Sequence, residues 1–152
     1  DDYLRDVAMD MKLGLPEEVV TMAGLAVAKR TYALLEEMGS DCVIMPAGLR
    51  GAYHVTGMAG GRVIYTINTR VQDMILEADP EQVPGIDTPM DEAVIRQLQR
   101  IPEFVRAYEP DGMQPREFIT YGVTQKLLSQ FNETGWAPLE TYLSKRASAR
   151  WI

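Results

Sequence analysis

Arg50 stands between Gly48 and Gly51, just past the apolar run from Cys42 to Ala47. This is the arrangement in the chain best suited to chemistry. A phosphate site needs a delocalised cation beside backbone N–H donors, and glycine lets the backbone approach an anion closely. A strand that runs into a helix supplies such donors, because the first N–H groups of a helix have no intrahelical acceptor. Arg50, Gly48 and Gly51 are therefore the candidate substrate-phosphate-binding residues. The competing reading is a surface arginine in an ordinary turn. Arg62 and Arg70 flank a second apolar run, and each reads as a solvated or capping charge.

The remaining reactive side chains point to less. The sole histidine, His54, lies four residues past Arg50, and packing is the favoured reading over a place in the same site. With one histidine and one cysteine, the soft-ligand supply is too small for a metal site, and no cofactor is expected. Cys42 opens an apolar run and reads as a small buried hydrophobe rather than a nucleophile. Schiff-base chemistry needs a lysine desolvated at a strand end. Lys12, Lys29, Lys126 and Lys145 fall instead on helices, most of them facing outward, so no catalytic residue is assigned. Glu17-Glu18 and Glu36-Glu37 sit at helix ends or on solvent faces and do not read as acid–base pairs. No nucleophile elbow, P-loop or dinucleotide fingerprint occurs.

The elements that would position Arg50 follow from periodicity. Leu4, Val7, Ala8 and Met11 share a face over 3–13. A second helix begins near Pro16 with acids in its first turn, carries Val20, Ala23, Val27, Leu34 and Met38 on one face, and stops at Gly39. The run 42–47 does not alternate, which predicts a strand buried on both faces, ending where Pro46 interrupts the ladder. A short helix over 52–58, a second strand over 62–67 and a helix over 70–77 follow. The connection between the strands suits a parallel crossover. Residues 78–89, rich in proline and acids, read as a loop. Helices near 90–108, 115–133 and 138–149 come after it; Pro102 splits the first, and Phe118, Tyr121, Leu128 and Phe131 share a face of the second.

At 152 residues, 46% hydrophobic and 24% charged, the chain is one domain or part of one, long enough for a real core. Its net charge of −7 argues against a general nucleic-acid or anionic-membrane surface. No apolar run reaches the length of a membrane span. The single cysteine suits a reducing, cytoplasmic setting. The chain begins at Asp1 without a methionine, which reads as processing or as a fragment. Two parallel strands alone would leave two open edges, so the strand pattern calls for further strands from elsewhere.

Three blocks carry a family resemblance. These are Val27–Gly39, then Val43 to Gly51, then Ala59 to Ile67. They resemble the C-terminal part of transaldolase and fructose-6-phosphate aldolase enzymes, in which a helix leads to a strand ending Ala-Ser-Phe-Arg, then Ala-Gly, then a strand ending Thr-Ile-Ser-Pro. Here Ala47, Gly48, Leu49 and Arg50 match the first strand end, and Thr66, Ile67, Asn68 and Thr69 match the second. Asp2, Tyr3 and Leu4 resemble the stretch after the family's sixth strand. The likeness covers roughly residues 1–78. It implies an α/β fold: the last two βα units of a (β/α)8 TIM barrel over 1–78, an acidic proline-rich loop over 79–89, and a helical C-terminal extension over 90–152. It further implies that Arg50 holds a sugar phosphate in the loop after the seventh strand. The family's serine is replaced by Gly48. The Schiff-base lysine would belong to missing N-terminal barrel strands, so this segment alone is expected to be inactive and poorly folded.

Two functions thus stay open. One is the C-terminal fragment of a transaldolase-like enzyme that transfers or cleaves a dihydroxyacetone unit of sugar phosphates in carbohydrate metabolism. The other is a stand-alone, mostly helical interaction module without catalysis. Trp136, Tyr142 and Trp151 suit a homo-oligomer contact in either case, or internal packing.

Overall fold

The computed structural model describes residues 1–149, so Trp151 lies outside the described residues. Helix α1 runs over Asp2–Asp10 and buries Leu4 and Ala8. It stops a turn short of the expected end. Lys12 and Gly14 both take left-handed φ values, 54° and 62°, and Met11 is left exposed. Glu17–Thr21 forms α2, with Glu17 and Glu18 in its first turn against the helix dipole. After a one-residue break at Met22, α3 continues over Ala23–Glu37.

Helix α3 is the axis of the molecule because it is buried from two sides. Ala23 and Ala26 face one core cluster with Leu4, Ala8 and Val19, closed by Leu98, Ile101 and Phe104 from the C-terminal half. Leu25 faces a second cluster with Met58 and Ile86. Val20 and Ala23 are buried as the periodicity predicts, whereas Met38 is exposed, since the last turn of α3 projects past both clusters.

The short helix α4, Ala52–Thr56, and α5, Thr69–Ala78, agree with expectation. Asn68 caps α5 by accepting a hydrogen bond from the Val71 N–H at 3.0 Å. The loop that follows is tied to the body: Gly85 N–H and Ile86 N–H both donate to Ala59 O. Gly85 passes so close to the end of α4 that a Cβ there would meet Thr56 O at 2.1 Å. Helix α6, Glu92–Leu98, is capped by Asp91, and α7, Pro102–Tyr108, starts on the proline expected to divide this region.

The barrel-fragment fold is overturned. The described residues are helical and form no strand; what remains of the two predicted strands is one isolated parallel bridge, Ile44 with Val63. Ile64 N–H donates to Ile44 O and Thr66 N–H to Pro46 O, and no further pairing extends the bridge. Two extended segments with no third strand to cover them cannot propagate a ladder or bury both faces. Val43, Met45 and Ile64 are accordingly exposed. Cys42 is exposed too, not the buried residue its apolar neighbours suggested.

Beyond a 3-10 turn at Pro115–Thr120, the chain rises into one long helical arm. It consists of α8, Gly122–Gln130, a π-helical stretch, Phe131–Trp136, and α9, Ala137–Ala149. Of the face predicted from Phe118, Tyr121, Leu128 and Phe131, only Tyr121 is buried, its hydroxyl donating to Glu103 O at 2.8 Å. Every residue from Leu127 to Arg146 is exposed. Among the described residues no helix is long and apolar enough to cross a membrane.

Phe104 is fully buried at the junction of α1, α3 and α7, so Phe104→Ala should destabilise the fold by about 3–5 kcal/mol. The expected readout is a urea midpoint shifted well down at an unchanged slope.

Candidate functional site

Arg50 lies where α4 begins, and its surroundings are polar and mutually satisfied. Gly48 takes φ +71°, a conformation that favours glycine and that turns the chain away from the bridge. Gly51 then serves as the extended N-cap of α4. The Arg50 guanidinium pairs with the Asp2 carboxylate and is 54% exposed. Its backbone N–H donates to His54 Nδ1 at 3.2 Å, which leaves the imidazole proton on Nε2. That nitrogen lies 3.5 Å from the Asp1 carboxylate, which also accepts the Gly24 N–H of α3 at 2.8 Å. Arg5 completes the cluster, donating to Asp2 at 3.2 Å and to Glu17 at 2.8 Å.

The electrostatics follow from this geometry. Burial would raise the Asp2 carboxyl, but Arg50 and the Arg5 hydrogen bond outweigh it and hold it below the usual range. His54 is pushed the other way from protonation. Burial, then the α-amino charge of Asp1 and the Arg50 guanidinium, lower it to about 4. It is thus a neutral, buried residue that packs as favoured from sequence and also faces the Arg50 site. Burial also raises the Tyr53 hydroxyl, which is enclosed without a hydrogen-bond partner.

The three predicted phosphate residues are therefore brought together, but with a carboxylate already on the guanidinium. An incoming phosphate would have to displace Asp2. Arg62 behaves as a cap, donating to Ser40 O at 2.8 Å past the end of α3.

A second feature was not legible beforehand. A groove of about 830 Å³ opens between α3 and the segment from Ile86 to Ile95, with Tyr108 at its side. Lys29 forms part of its wall. It does not face outward as its helical position suggested; its Nζ donates to Gly85 O at 2.6 Å and to Thr88 O at 2.5 Å. Burial lowers its pKa, with Asp87 opposing that shift. The two acceptors lie 56 and 59 residues away, beyond any local pattern. Lys126 is likewise engaged, with Asp6 at the root of the arm, and Lys12 sits in the left-handed turn after α1 rather than on a helix.

No family model, curated protein or solved structure matches the chain.

The single histidine makes the buried cluster directly observable. Its imidazole resonance should titrate near 4 rather than near the free value of about 6.5. Because the folded value lies below the unfolded one, the unfolded chain binds the proton first as pH falls. Stability should therefore decline between about pH 6.5 and pH 4, each unit of that interval costing up to about 1.4 kcal/mol. His54→Gln, which keeps an acceptor for the Arg50 N–H, should flatten that decline.

Proposed function

We propose that this chain is a mostly helical interaction module without catalysis of its own, acting through the apolar side of its C-terminal arm. The observation that carries this reading is the arm itself. Leu127, Leu128, Phe131, Trp136, Leu139, Tyr142 and Leu143 are all exposed on one continuous helical run. A lone helix of this length is marginal in water, and most helical stability comes from burying an amphipathic face. An apolar patch of this kind marks a protein contact more often than free surface. The lysines support the non-catalytic half of the reading: Lys29 is held by two carbonyls and Lys126 by Asp6, so neither offers a free amine to a ketose.

Two measurements test this together. A photo-crosslinking amino acid at Leu139, introduced in the cells that make the protein, should give a covalent product of discrete mass. The same group at Ser129, exposed and about 200° around the helix from Leu127, should give none. Treatment of the purified chain with fructose 6-phosphate and borohydride should leave its mass unchanged. A trapped adduct, or no crosslink at Leu139, overturns the proposal.

A second reading keeps Arg50 as the phosphate anchor of a transaldolase-like, sugar-phosphate enzyme. Its support is the half-exposed guanidinium with a single carboxylate partner beside the Gly48 turn. On this reading inorganic phosphate, titrated into the chain and followed by phosphorus NMR, should bind. Binding should be lost in Arg50→Ala and kept in Arg70→Ala. No broadening at tens of millimolar phosphate would remove this reading.

A further inference from the structure

We draw no further inference here: the strongest candidate, the exposed apolar face of Val43, Met45 and Ile64 on the two extended segments joined by the Ile44–Val63 bridge, carries nothing, because nothing in the structure shows what covers it.

Discussion

The fold depends on how closely other elements can approach α3. Ala23 and Ala26 expose essentially nothing, and their small side chains let α1, α2, α6 and α7 close around one side of the helix. Leu25, two residues past Ala23 and one before Ala26, projects into the other cluster with Met58 and Ile86. A helix buried on two sides must give up the usual polar face along that length. Polar residues return only at Lys29 and Arg30, where the groove opens. The groove lies where the loop from Asp87 to Asp91 passes α3, with Met90 packed against both clusters. Lys29 bridges that gap from α3 with two hydrogen bonds to the loop. The desolvation of its ammonium is offset by carbonyl acceptors rather than by a tight ion pair.

The Arg50 cluster depends on a different principle. Its charges neutralise one another: Asp1 serves His54 and Gly24, Asp2 serves Arg50 and Arg5, and Glu17 serves Arg5. The result fastens α1 to α3 and α4 at one end of the molecule. A site preorganised for an anion would keep its cation short of acceptors; here Arg50 already has one. This is why the cluster favours a structural role over a phosphate-binding one, and why the competing reading needs Asp2 to yield.

The helices were legible in the sequence because each carries a local signal of its own. Pro16 marks a start and Pro102 a division, and the Leu4-Val7-Ala8 spacing identifies a buried stripe; the Asn68 and Asp91 caps emerged only in the structure. The strands failed for a nonlocal reason. An apolar, non-alternating run such as Val43 to Met45 predicts a strand buried on both faces only if neighbours exist to cover it, and none of the described residues does so. His54 is buried, as the packing reading expected, but it also faces the Arg50 site through the Arg50 N–H and the Asp1 carboxylate, a partner 53 residues away in sequence that no local pattern could show. Lys29 and its groove were invisible because both carbonyl acceptors come from a distant loop whose path is set by Gly85 against Thr56. Arg50 was singled out by the glycines around it, and Gly48 does turn the chain there at φ +71°; the resemblance added a barrel fold that the described residues do not form.

The arm shows one further constraint. Pro138 has no N–H to donate, and its ring would crowd the carbonyl of Thr134 in a regular α-helix. The chain answers with the π-helical stretch just before it, in which the Ala137 N–H reaches back to Asn132 O. Each residue in such a stretch advances around the axis by less than it would in an α-helix. The shift rotates Trp136 and everything beyond it back toward Leu128 and Phe131. A uniform α-helix would spread these apolar side chains over about half the circumference; the π-helical stretch draws them into a narrower arc. In a uniform α-helix Phe131, Leu139, Tyr142 and Leu143 already fall within about 120° of arc, whereas Leu127 and Trp136 stand on opposite sides. The distortion forced by Pro138 therefore acts mainly on Trp136, turning it toward the arc that the other apolar side chains share.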